Sequence, residues 1–123
     1  MKIWIGRWIM GVSIIHTLFA IAVFKDVLAS IVSRGVFNTV GADPLTGVVV
    51  WFVLFGIVLF VCGMATSALE RATGGHLPKS LGWGLLGLVI VGVVLMPASG
   101  FWLAIPPTIA ILARKRQPAL AAA

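Results

Sequence analysis

Negative charge is scarce in this chain: Asp26, Asp43 and Glu70 are the only acids among 123 residues. Three carboxylates this far apart leave no pair for general acid–base work and no carboxylate-rich metal spacing. Cysteine is scarcer still. A single Cys62 excludes an internal disulfide, and within an apolar run it reads as a small packing hydrophobe. No nucleophile stands beside a base, and no nucleotide-binding motif is present. Charge of either sign makes up 10% of the residues, against about 25% in soluble domains. A water-soluble fold of this size has too much surface to cover with so few charges.

What is abundant is apolar: 61% of the residues are hydrophobic, and the mean hydropathy is +1.17. The bilayer is the expected solvent. The net charge of +6 does not point to nucleic acid, because the basic residues are dispersed over short loops without any binding motif. Lys and Arg flanking apolar runs fit membrane orientation instead.

A spanning helix needs about 20 mostly apolar residues. Four segments are read as crossings. The first runs from Ile3 to Phe24; it is longer than a signal-peptide core, and no cleavage pattern follows it. The second runs from Pro44 to Leu69, with Asp43 placed as N-cap and Pro44 as first helical residue. The third runs from Pro78 to Met96. The fourth, Gly100 to Ala113, is short, and Pro106 and Pro107 are expected to kink or open it. The tetrapeptide Pro97-Ala98-Ser99-Gly100 allows only a tight hairpin. Residues Lys25 to Ala42 hold an amphipathic stretch, with Leu28, Ile31, Val32 and Gly35 on one face and Asp26, Ser30, Ser33 and Arg34 on the other. The expected fold is all-α, a single domain over residues 1–123. It has four transmembrane helices in an antiparallel bundle and a short amphipathic interfacial helix between the first two.

Four crossings put both ends on one side. That side holds Lys2, Arg7, Arg71, Lys79, Arg114, Lys115 and Arg116; the other holds Lys25 and Arg34. The bias makes the termini cytoplasmic. Trp4, Trp8, Trp51, Trp83 and Trp102 all fall near a helix end, as interfacial aromatics do.

Few residues are candidates for chemistry. His16 lies past the middle of the first helix, where an ionisable group is costly and a functional candidate by default. Ser13 and Ala20 share its face, which suits a helix–helix contact. His16 reads either as a ligand, haem, quinone or proton-relay group, or as a neutral histidine bonded to a neighbouring backbone. His16, Ser13, Asn38, Trp51, Ser99 and Trp102 are the residues expected to line any outward-facing pocket. Arg7, Arg114, Lys115 and Arg116 are expected to meet lipid headgroups. His76 reads as a solvated loop histidine. Gly56, Gly63 and Ser67 form one small-residue stripe and Gly84 and Gly87 another, both suited to close helix packing. All three acids are expected outside the core. No catalytic residue, metal or cofactor is expected. The bilayer is the expected partner, with a second membrane protein or another copy of the chain possible beside it.

The motifs Gly6-Arg7-Trp8, His16-Thr17, Arg34-Gly35-Val36-Phe37-Asn38, Leu81-Gly82-Trp83 and Ser99-Gly100-Phe101-Trp102-Leu103 resemble a family of small uncharacterised bacterial four-helix membrane proteins. The resemblance is more distant to the DoxX-like group. It implies a multi-pass protein of the bacterial inner membrane and supplies no catalytic residues. Three functions follow. The first is a non-enzymatic structural, accessory or interaction subunit. The second is a redox or lipid-, quinone- or haem-binding protein using His16. The third is a small transporter, but the first helix lacks the embedded acid on which the small multidrug-resistance family depends.

Overall fold

The computed structural model describes residues 2–115, which leaves Arg116 outside the described residues. Among them the chain is all-α, with no strand. It forms α1 (Ile5–Val23), α2 (Lys25–Arg34), α3 (Pro44–Ala72), α4 (Lys79–Leu95), a 3₁₀ turn (Gly100–Ala104) and α5 (Ile105–Ala113). Two helices, α1 and α3, are long and apolar enough to cross a membrane; α4 and the segment formed by the 3₁₀ turn and α5 are shorter apolar helices.

Local chemistry explains most of the boundaries. Asp43 caps α3, accepting from the amides of Leu45 and Thr46 at 3.2 Å each, and Pro44 fills the first turn where no donor is required. At its far end α3 runs three residues beyond Leu69. It stops where Gly74 and Gly75 take positive φ and the Gly75 amide bonds the Glu70 carbonyl at 2.7 Å. Pro106 and Pro107 do not kink a helix. The chain takes a 3₁₀ turn, capped by Ser99, and α5 begins at Ile105, so both prolines sit in its first turn. There a missing N–H removes no helical bond.

The helices lie in an open row, looser than the expected bundle. α1 and α3 pack antiparallel along most of the length of α1. α4 packs on the 3₁₀ turn and α5, and these in turn touch α1; the backbone of α4 lies close to neither α1 nor α3. α2 turns away from α1 at Phe24 and lies over the start of α3. Its inward residues are Val27, Leu28 and Ile31, whereas Val32, expected on that face, is exposed. The two hairpins are unequal. α3 has 29 residues, about 43 Å of helix, against about 26 Å for the 17 residues of α4.

Glycine permits the close packing of α1 on α3. A Cβ at Gly6 would overlap the Ser67 backbone. One at Gly63 would lie 2.8 Å from the Met10 amide nitrogen, and one at Gly56 would lie 2.6 Å from the Thr17 hydroxyl. The Gly56, Gly63 and Ser67 stripe therefore packs as expected. The stripe on α4 does not: nothing lies within 4 Å of a Cβ at Gly84 or Gly87. The close contacts of α4 are instead at Gly82, against Ile111 and Leu112, and at Gly92, against the Phe101 ring. Cys62, expected to pack, is exposed on α3.

Candidate functional site

The densest polar arrangement sits where the start of α1, the end of α3, the start of α4 and the end of α5 converge. Glu70 occupies its centre with no exposed surface, which corrects the expectation that every acid lies outside the core. Its carboxylate accepts from the Gly6 amide at 2.9 Å and the Trp4 amide at 3.4 Å. These belong to the start of α1, which has no side-chain cap of its own. An anion from α3 thus caps α1 across the helix interface, where the exposed amides and the helix dipole favour negative charge.

Arg114 completes the pair, with Nη1 at 3.2 Å from Glu70 Oε1 and a side chain only 11% exposed. It also donates to the carbonyls of Gly75 at 2.5 Å and Lys2 at 2.9 Å. Arg114 is therefore engaged inside the protein rather than extended toward headgroups. Lys79, from α4, donates to the carbonyls of Ile111, Leu112 and Arg114, placing a cation on the C-terminal end of α5. Ile5, Ile9, Leu77 and Ile111 form the buried apolar cluster beside the knot. Four helix ends are thus joined by three charged side chains. Beside them opens a groove of about 360 Å³ lined by His76, Lys79, Ser80, Arg114 and Lys115.

The sequence contained a signal for Glu70. Positions 56, 63 and 67 mark one face of α3, and 70 is the next turn of that stripe. In the sequence that face reads as a packing stripe of small residues, and the expected helix stops at Leu69, one residue short of the acid.

His16 and Ser13 are brought together on the same interface. Ser13 Oγ donates to the Gly56 carbonyl at 2.6 Å, and His16 Nε2 lies 2.9 Å from the Phe52 carbonyl. A carbonyl only accepts, so Nε2 carries the proton in this bond. The imidazole is stacked on Phe52 at 4.2 Å and meets the edge of Phe55 at 5.4 Å. Ser13 also lines a shallow groove of about 270 Å³ between α1 and α3, with Thr17 and Gly56. Asn38, Trp51, Ser99 and Trp102 do not join it. Asn38 sits in an exposed loop at φ 51°, Trp51 is exposed, Ser99 caps the 3₁₀ turn, and Trp102 Nε1 donates to the Pro97 carbonyl at 2.7 Å. Arg7 and Lys115 are exposed, and His76 is half-buried.

At the opposite end, the Thr46 hydroxyl bonds the Asp43 carboxylate. That bond, the Thr46 and Leu45 amides and the charge of Arg34 hold the Asp43 carboxyl below its ordinary range, against a smaller opposing effect of desolvation.

No curated protein and no solved structure matches the chain. A family model does, over residues 1–118: it is described as a family of unknown function, DUF6463, and the chain belongs to that family.

Proposed function

We propose that this chain is a four-pass protein of the bacterial inner membrane with both termini in the cytoplasm, and that it acts as a non-enzymatic structural or accessory subunit. The observation that carries the reading is the distribution of apolar surface. Large hydrophobic side chains are exposed along α1, α3 and α4, among them Ile14, Leu18, Val58, Val61, Ile90 and Val94. In water such a surface would drive aggregation; in hydrocarbon it is the solvated face. The polar side chains between the helices bond backbone carbonyls: Ser13 to Gly56, Thr17 to Ser13, Thr108 to Ala104. Such bonds satisfy polar groups where no water is available.

The excess of Lys and Arg at the end that carries Glu70 supports its cytoplasmic placement. The short fourth crossing is accommodated by Lys79 and Arg114, which satisfy carbonyls and charge at its base. The resemblance to small bacterial four-helix proteins, and more distantly to the DoxX-like group, supports the same reading. In it His16 is an interhelical hydrogen-bond donor. Arg7 and Lys115, both exposed, are free to meet headgroups, as are the exposed Lys2 and Arg71 at the same end.

The reading is tested by alkaline carbonate extraction of membranes from cells expressing the full chain. The protein should remain wholly in the pellet and enter solution only with detergent. Release into the carbonate supernatant would refute the multi-pass reading.

A further inference from the structure

Among the described residues, the groove beside the knot carries cations without a facing acid. His76, Lys79, Ser80, Arg114 and Lys115 line it, and Glu70, the one nearby carboxylate, is buried behind Arg114. Lys79 and Arg114 are fixed by their carbonyl and carboxylate partners and contribute a standing positive field. Lys115, exposed, and Ser80, exposed on the first turn of α4, remain able to touch a ligand. Trp83, exposed one turn further along α4, marks the depth of the headgroup layer. Below Ser80 on the same face of α4, Gly84 and Gly87 are exposed, and nothing lies within 4 Å of a Cβ at either. Positions 80, 84 and 87 fall on one line of a helix. The cationic groove therefore lies beside an exposed trough, where α4 carries no side chain at Gly84 and Gly87.

We infer that this groove and trough bind one anionic phospholipid of the cytoplasmic leaflet, its phosphate beside Ser80 and Lys115 and one acyl chain along Gly84 and Gly87. Charge complementarity selects the headgroup, and basic pockets at the cytoplasmic ends of membrane helices are suited to such lipids. The missing side chains at Gly84 and Gly87 give the chain a path against the helix backbone. The inference rests on the membrane-spanning reading above.

The test is native mass spectrometry of the full chain purified in mild detergent, with phosphatidylglycerol and phosphatidylcholine supplied in equal amounts. One phosphatidylglycerol per chain should be retained in preference to phosphatidylcholine. Lys115→Ala should lower that preference about fivefold, the loss expected for one surface cation. Ser80→Glu places a carboxylate at the phosphate position while suiting the start of α4, so it should abolish the preference and leave the thermal midpoint unchanged. Gly87→Leu should reduce lipid retention by filling the trough, and inorganic phosphate should not displace the lipid. Equal retention of both lipids by the unmodified chain, or an unchanged preference in Lys115→Ala and Ser80→Glu, would overturn the inference. So would displacement by inorganic phosphate. So would a dimer that Gly87→Leu converts to monomer with lipid retention intact, because the trough would then be a self-association face. A chain that leaves the membrane in carbonate fails the earlier reading; a detergent-soluble chain without lipid preference fails only this one.

Discussion

Glu70→Ala is the substitution with the largest expected effect in this molecule. It leaves the buried Gly6 amide without an acceptor, which alone costs about 1–3 kcal/mol. It also leaves the Arg114 guanidinium, 11% exposed, without its counter-ion. Removing one partner of a buried pair costs about 3–5 kcal/mol. These contributions overlap, because both describe the same carboxylate, so they do not add. Arg114 keeps its bonds to the carbonyls of Gly75 and Lys2, which places the expected loss near the lower end, about 3 kcal/mol. The assay is reversible unfolding in mixed micelles, followed by circular dichroism as the fraction of dodecyl sulfate rises. Arg114→Ala and the double variant complete a cycle whose coupling should fall within about 1–3 kcal/mol. Were Glu70→Ala to lose less than about 1 kcal/mol, the value of a solvated surface pair, the knot would not be the buried cross-link described here.

Other substitutions separate packed from open positions. Gly63→Ala should cost about 1–3 kcal/mol in the same assay, because its Cβ would press on Met10, while Gly87→Ala should be neutral or stabilise by up to about 1 kcal/mol through helix propensity. His16→Ala should cost about 1–2 kcal/mol through the lost hydrogen bond and stacking, and His16→Phe should recover the stacking part. Asp43 makes a pH-dependent contribution. With the folded carboxyl held below its ordinary value, its stabilisation is complete above about pH 5 and is lost as pH falls through the depressed pKa. Thermal midpoints taken between pH 6 and pH 2.5 should therefore fall less steeply in Asp43→Ala than in the unmodified chain.

Much of this organisation was legible in the residues because it is local. An Asp-Pro pair before an apolar run specifies a helix start whatever surrounds it, and Asp43 and Pro44 occupy the expected positions. Small residues seven and four apart mark a contact face, and Gly56, Gly63 and Ser67 lie against α1. What sequence spacing did not resolve was which partner, if any, each face meets. Gly84 and Gly87 have the same spacing logic as the α3 stripe, yet α4 turns Gly82 and Gly92 inward, because α5 and Phe101 approach from that side. The choice between Val27 and Val32 as the inward residue of α2 likewise depends on how the chain bends at Phe24. Pro106 and Pro107 were read as helix breakers within one segment; the 3₁₀ turn before them makes them helix starters. Glu70 was missed for a different reason. Its hydrogen-bond donors and its counter-ion come from residues 4, 6 and 114, and only the antiparallel return of α3 and α5 brings these to one place. The residues expected around an outer pocket are not brought together: Trp102 bonds the Pro97 carbonyl within its own hairpin, and the 3₁₀ turn meets α1 at Trp8, which donates to the Leu103 carbonyl, rather than at His16.

The four-crossing reading turns on that short hairpin, since α1 and α3 already have the length to span and α4 and α5 do not. The most direct measurement is Ala98→Cys in a Cys62→Ala background, labelled in intact cells with a membrane-impermeant maleimide, alongside a Lys115→Cys control. Labelling of position 98 from outside, with position 115 protected until the membrane is opened, is the expected result. Protection of position 98 in intact cells, followed by its labelling once the membrane is opened, would mean that α4 and α5 dip into the bilayer from the cytoplasmic side without crossing it.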